Sequence, residues 1–190
     1  MTLSLPALLA RPFVFVRHGE TAPNRQGIIA GSTDVPLNAE GEQQARSASV
    51  LVSQQHWSVV AVSPMQRARQ TASLLLPSAS HHVIDDLRER HWGQLEGQPL
   101  AALPPYEQTP PGGESWLAFQ LRVLISLNRL LEQYECPLIV AHSGIFRVIR
   151  QAVSGTPYGE RIGNVQPMLI QPDAQGGWQL SPLSHPTPSH

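Results

Sequence analysis

Lysine is absent from this 190-residue chain, and all 13 of its basic residues are arginine. Its fixed positive charge therefore sits on planar guanidinium forks, which bind phosphate and carboxylate oxygens in pairs where an ammonium makes a point contact. On solvated surfaces the two residues are interchangeable, so the absence alone reads as a bias of coding. Cysteine is nearly missing too. Cys136 is the single one, which excludes an internal disulfide and any metal site resting on several thiolates. Beside Pro137, at the entrance of an apolar run, it reads as a buried, inert thiol. There is no Asp-rich cluster of the kind that holds Mg²⁺. Charged residues make up only 14%, with a formal net charge of -1, which argues against nucleic acid or an anionic membrane as the main partner. No apolar run is long enough to span a bilayer, and the short Leu3–Ala10 stretch lacks the basic flank of a signal peptide. A cytoplasmic setting is the expectation.

What is present fits one domain over residues 1–180, with 41% hydrophobic residues and enough volume for a real core. Ser181–His190 reads as a flexible tail in which His185 and His190 carry no role. Strand-like runs occur at Phe13–Val16, Val59–Val62 and Leu138–Ala141, with weaker ones at His82–Ile84 and Met168–Ile170. Between them lie helical patterns. Asn38 caps one through about Val52, and Ser63-Pro64 opens another through about Leu76. Leu117, Leu121, Leu124, Ile125 and Leu131 mark a long amphipathic helix over Glu114–Tyr134, and a further helix runs from Ile145 to Val153. Strand and helix alternate, so the fold class is α/β: a three-layer α/β/α sandwich with a mostly parallel central sheet. The Pro/Gly-rich stretch around 97–113 is a short lid.

Polar chemistry gathers at strand ends, where α/β sheets bind ligands. Arg17-His18-Gly19-Glu20-Thr21 follows the first apolar run. Arg67 stands in the first turn of a helix, a position that favours anions and that a cation occupies well only opposite one. Glu89 lies in the charged stretch Leu87–Gly93, and Ala141-His142-Ser143-Gly144 opens another helix. Two imidazoles and two guanidiniums in one crevice suit a phosphoryl group. The arginines neutralise oxygens, one imidazole attacks phosphorus and the other donates to an oxygen. A carboxyl such as Glu89 protonates the leaving alkoxide, and burial or the phosphate dianion would help it hold that proton. Arg122 on the long helix reads as a salt-bridged structural residue. His81-His82 makes a poor metal pair, because neighbouring strand residues face opposite ways.

These motifs, with Gly31–Leu37, Ser63–Ala72, Glu96-Gly97 and Pro111–Ser115, resemble the histidine phosphatase superfamily in order along nearly the whole chain. The resemblance implies a phosphoglycerate mutase-like fold and residue roles. His18 is the nucleophile that becomes phosphorylated, and Glu89 the proton donor. Arg17, Arg67 and His142 bind the phosphoryl group, with Asn24 adding a hydrogen bond and Gly31 a backbone contact. Ser143 departs from the family's usual glycine after the second histidine, and it can still offer a backbone N–H and a hydroxyl. No cofactor is implied.

A mutase must hold a small acid and return its phosphate, so it needs cations over the site. Gly93–Gln120 contains no arginine, which favours hydrolysis of a small phosphorylated metabolite. Arg25, Arg90 and Arg161 remain as candidate outer cations for a mutase, and Glu89-Arg90-His91-Trp92 resembles the mutase segment. A protein phosphohistidine phosphatase and a non-catalytic phosphate-binding module are further alternatives. A homodimer is compatible with the sequence.

Overall fold

Uninterrupted Val, Ile and Phe runs suit strands covered on both faces, and three such runs form the middle of the sheet. In the computed structural model, which describes residues 4–184, β1 (Phe13–Arg17) and β4 (Leu138–Ala141) are parallel neighbours buried along their whole length. On the other side of β4 come β2 (Val60–Val62) and β3 (His81–Val83), also parallel. Beyond β1, β5 (Met168–Pro172) and β6 (Trp178–Pro182) are added antiparallel, giving the order β3-β2-β4-β1-β5-β6.

Alternation along the strands divides two cores. Phe13, Phe15, Ala61, Ile139 and Ala141 face one side with α4 (Trp116–Gln133) and α5 (Ser143–Ser154). Val14, Val16, Val60, Val62, Leu138 and Val140 face the other with α2 (Ala39–Val52) and α3 (Gln66–Leu75). Helices thus cover both faces, and the α/β/α layering follows. A short α1 (Ala22–Gln26) leads from the tip of β1.

Several expected boundaries shift. Asn38 caps α2 by accepting the Gly41 N–H, as its sequence position implies. By contrast α3 begins at Gln66 with Met65 at its cap, so Ser63-Pro64 precedes the helix; the Ser63 hydroxyl is committed elsewhere, as described below. In α4 Leu124 and Leu131 are buried as expected, and Trp116, Phe119, Val123, Leu127 and Leu130 join them in the core; Leu117 is 44% exposed, because the large rings at 116 and 119 take the inward face. α5 starts at Ser143, two residues before Ile145. The tail boundary at Ser181 falls inside β6, where Leu169 pairs with Ser181 and Met168 with Pro182, and Leu183 is buried. Sequence missed that strand because its pattern is polar and only half-buried. His185 and His190 lie outside the described residues.

Candidate active site

Parallel pairing of β1 with β4 sets Arg17 opposite Ala141, so the residues that follow, His18 and His142, leave the sheet side by side. The His18 N–H donates to Ala141 O at 2.9 Å, and the two rings meet edge to face at 5.1 Å. Arg67 comes from the first turn of α3, which follows β2, and Glu89 from the turn beyond β3. All four parallel strands thus deliver a group at their carboxyl ends. Arg17, His18, Asn24, Gly31, Arg67, Glu89 and Ser143 line one cavity of about 160 Å³. His142, fully buried, stands directly behind His18.

The histidines are chemically distinct. His18 Nδ1 lies 2.7 Å from Gly19 O. A carbonyl can only accept, so Nδ1 carries the hydrogen and Nε2 keeps its lone pair. His142 Nε2 lies 2.7 Å from Ser63 Oγ, which also accepts the Met65 N–H at 3.2 Å. Among the described residues the Ser63 hydroxyl hydrogen has no acceptor besides His142 Nε2, and with that hydrogen donated to Nε2 the His142 ring carries its own on Nδ1. That Nδ1 and Arg17 Nε are both buried without a hydrogen-bond partner among the described residues. Buried donors are ordinarily paired, so these two mark where acceptor oxygens belong.

Burial, and then the charges of Arg67 and Arg17, hold the His18 imidazole well below its usual range. Burial does the same to His142, followed by Arg67, His18 and Arg17. Both rings are therefore neutral near pH 7. Burial, reinforced by Arg161, pulls Arg17 down to about 10, with Glu89 opposing. A stability prediction follows from the rings. A depressed histidine takes up its proton in the unfolded chain first, near an ordinary value of about 6.5. Stability is therefore full above that pH and falls as pH drops toward the folded-state values, by up to about 1.4 kcal/mol per pH unit for each ring. Thermal melts from pH 7 to pH 5 are expected to show a falling melting temperature, largely restored in a His18→Gln/His142→Gln double variant; a flat wild-type profile would contradict it.

Glu89 is fixed from three directions. Its carboxylate accepts the Arg90 N–H at 2.9 Å and the Gly144 N–H at 3.1 Å. Arg122 donates to the Glu89 carbonyl at 3.1 Å while pairing with Glu114 at 2.7 Å, so it is the structural residue expected. A β-carbon on Gly144 would lie 2.1 Å from Glu89 Oε1, so only glycine leaves the carboxylate room. Arg67 donates to Gly31 O and Thr33 O, each at 2.7 Å.

A β-carbon on Gly19 would meet Gly41 O at 2.6 Å, so the residue pair lets α2 press against the loop after His18. Sequence reasoning also missed Thr71 and Asn164. Thr71 Oγ1 accepts the Gly19 N–H at 2.9 Å and donates to Arg67 O at 2.7 Å. Asn164 Nδ2 donates to His18 O at 2.9 Å and to Asn24 Oδ1 at 3.4 Å. Asn164 sits in no signal that sequence would single out, and Thr71, though inside the Ser63–Ala72 segment, reads there as one more polar residue on a helix.

The outer cavity is walled by Ile28, Ile29, Trp92, Leu100, Leu103 and Tyr106, with Arg147 and Arg161 also on its lining. The 97–113 stretch is laced to residues 27–29 by three backbone hydrogen bonds: Gly97 N–H to Ile29 O, Ile29 N–H to Gln98 O and Leu100 N–H to Gly27 O. Of the candidate outer cations only Arg161 belongs there. Arg90 is buried and spends its guanidinium on Glu114 O, Tyr106 O and Gln108 O, beneath Trp92 at 4.4 Å. Arg25 pairs with Glu20 at the surface. Among the described residues no group of three or more His, Cys, Asp or Glu side chains could hold a metal, and no helix is long and apolar enough to cross a membrane.

Residues 13–178, which carry every element of this cavity, match the profile of the histidine phosphatase superfamily (branch 1). The chain belongs to that family. Among its curated relatives is the uncharacterized phosphatase PhoE of Bacillus subtilis, 34% identical over 151 residues, covering 74% of this chain and 76% of PhoE. The 2,3-bisphosphoglycerate-dependent phosphoglycerate mutase 2 of Gloeobacter violaceus is 34% identical over 158 residues, 72% of each chain. The crystal structure of the α-ribazole phosphatase from Shigella flexneri superposes with a TM-score of 0.80 at 26% identity, covering 94% of this chain and 100% of that one. The three-layer fold is thus phosphoglycerate mutase-like, and the histidine phosphatases around this chain include both phosphatases and mutases.

Proposed function

We propose that the chain is a phosphatase that hydrolyses a small phosphate monoester through a phosphohistidine on His18, without added metal. The observation that carries this is the tautomer of His18. Its Nδ1–H is taken by Gly19 O, so Nε2 offers a neutral lone pair among two guanidiniums and the His142 ring. In the first step Nε2 attacks phosphorus and the bond from phosphorus to the alcohol oxygen breaks. The Glu89 carboxyl gives its proton to that oxygen. Arg17 Nε and His142 Nδ1 supply donors to oxygens whose charge grows in the transition state, without having to reorganise. In the second step the Glu89 carboxylate takes a proton from water, the hydroxide forms a bond to phosphorus and the nitrogen–phosphorus bond breaks. Ser143, at the first position of α5, has a helix-terminal N–H suited to phosphate.

A cavity of about 160 Å³ fits a small metabolite. One observation favours a phosphoglycerate mutase as the second reading: Arg147 and Arg161 supply, from outside the lid, cations that the lid's sequence lacks. A panel of phosphate monoesters assayed for released phosphate, with and without EDTA, tests the first reading. Turnover unaffected by EDTA is expected, and complete inhibition would refute it. Supplying 3-phosphoglycerate with catalytic 2,3-bisphosphoglycerate tests the second; rapid formation of 2-phosphoglycerate would replace hydrolysis with mutase activity.

A further inference from the structure

Two sequence segments, Gly31–Leu37 and Glu96-Gly97, meet in the fold, and apart from Gly31, which lines the cavity, they take no part in the chemistry above. Glu96 is largely buried, with a side chain 13% exposed, and it accepts hydrogen bonds from both segments' surroundings. Its Oε2 accepts the Ser32 N–H at 3.0 Å and the Trp92 N–H at 2.9 Å. The Ser32 hydroxyl lies 2.9 Å from Oε2, and the Thr33 hydroxyl 2.9 Å from Oε1. Gly31 lets this happen. Its φ is +55°, and a β-carbon there would stand 2.5 Å from Glu96 Oε2.

The carbonyls at either end of this three-residue turn are the ones that hold Arg67, with Gly31 O on Nη2 and Thr33 O on Nη1. Arg67 is 2% exposed, so its fork has no solvent to fall back on, and its direction is whatever those two carbonyls impose. Thr33 is exposed and Ser32 only half-buried, so the turn is held from its two sides: Asp34, next in the chain, accepts the Gln66 N–H at 2.8 Å and the Gln66 side-chain amide at 2.9 Å, and the Glu96 carboxylate holds Ser32 and Thr33 from beneath. A chain of contacts therefore runs from Glu96 through the 31–33 backbone to the guanidinium, and the same carboxylate ties in Trp92 of the outer wall.

We propose that Glu96 is a positioning residue for Arg67, setting the guanidinium's direction through the backbone of residues 31–33. The proposal rests on Arg67 being a phosphoryl ligand. Donors from Ser32, Trp92 and Thr33 outweigh the effect of burial and keep the Glu96 carboxyl below its usual range, so the anchor stays ionised in mildly acidic solution. Partners that orient the ligands of a metal site cost about 10- to 100-fold when removed, and a displaced group in a reacting site is penalised on the same scale.

The test is a double-mutant cycle read as the affinity for inorganic phosphate, by calorimetry on the full chain, alongside melting temperatures. Glu96→Ala is expected to weaken phosphate binding about 10- to 100-fold, and by no more than about twofold when Arg67 is already alanine. Glu96→Gln is expected to recover most of the loss. Its oxygen can accept from Ser32 N–H and Trp92 N–H while its amide donates to the two hydroxyls, which can accept. Gly31→Ala perturbs the same contact from the other side and should reproduce the Arg67-dependent loss, which keeps the test alive if Glu96→Ala does not fold. An equal loss of phosphate affinity with and without Arg67, or a lowered melting temperature with affinity intact, would overturn the proposal and leave the phosphatase reading standing. Failure of the wild-type chain to bind phosphate would remove both.

Discussion

His18→Ala is expected to reduce kcat by about four to six orders of magnitude, the range seen when a covalent nucleophile is removed while its surroundings persist. A partial loss is not expected, because among the described residues no other group is placed to take over. His142 is the nearest imidazole, but its Nε2 is occupied by the Ser63 hydroxyl at 2.7 Å and its Nδ1 bears the hydrogen. The only cysteine, Cys136, follows α4 at the opposite ends of the strands, and burial pushes its thiol up. Phosphate affinity should survive the substitution, since Arg17, Arg67 and His142 remain. Two measurements decide the matter together: rapid quench for an acid-labile phosphoenzyme, and calorimetry with inorganic phosphate. A labelled enzyme in the variant, or turnover within about a hundredfold of wild type, would dismiss His18 as nucleophile. Loss of phosphate affinity alongside turnover would instead make His18 a binding group.

The strand tips were legible because chemistry and punctuation coincide there. An apolar run that ends in Arg-His-Gly, and another that ends in His-Ser-Gly, each place polar groups where bland structure has no use for them. Arg67 was legible for a related reason, as a cation at a helix start. The layering was legible from uninterrupted apolar strands alternating with capped helices. What escaped has a physical explanation as well. Arg147 sits one turn into α5 and looks like any arginine on a solvated helix face; only the path of residues 157–162 turns it inward, where it donates to Gly159 O at 2.9 Å. Arg90 suffers the opposite error, since a charged residue beside Glu89 looks available until three loop carbonyls claim it. The reason for Gly19 was hidden because the helix that demands it begins 20 residues later. Long-range backbone approaches of this kind leave no local pattern, and β6, half-buried at a sheet edge, leaves almost none.

Glu89→Gln is expected to slow alkyl phosphates by about 10²- to 10⁴-fold while leaving p-nitrophenyl phosphate much less affected. An alkoxide needs a proton as it departs, whereas p-nitrophenolate leaves as a stable anion, so only the former depends on an acid. The amide is an imperfect mimic here. Both carboxylate oxygens accept a backbone N–H, from Arg90 at 2.9 Å and from Gly144 at 3.1 Å, and an NH2 must face one of those donors. Some loss shared by both substrates is therefore built into Glu89→Gln, and the contrast between them is the signal. Gly144→Ala isolates the same role without touching the carboxyl group. Its methyl would stand 2.1 Å from Glu89 Oε1, so the carboxylate must move while His18, Arg17 and Arg67 keep their places. The expected result is the same selectivity: alkyl esters lose far more than the aryl ester, and phosphate affinity is retained. Equal losses on the two substrates in both variants would take the proton-transfer role away from Glu89. A selective loss in Glu89→Gln alone would keep the role, and would mean that α5 can yield enough to let the carboxylate stay where the leaving oxygen needs it.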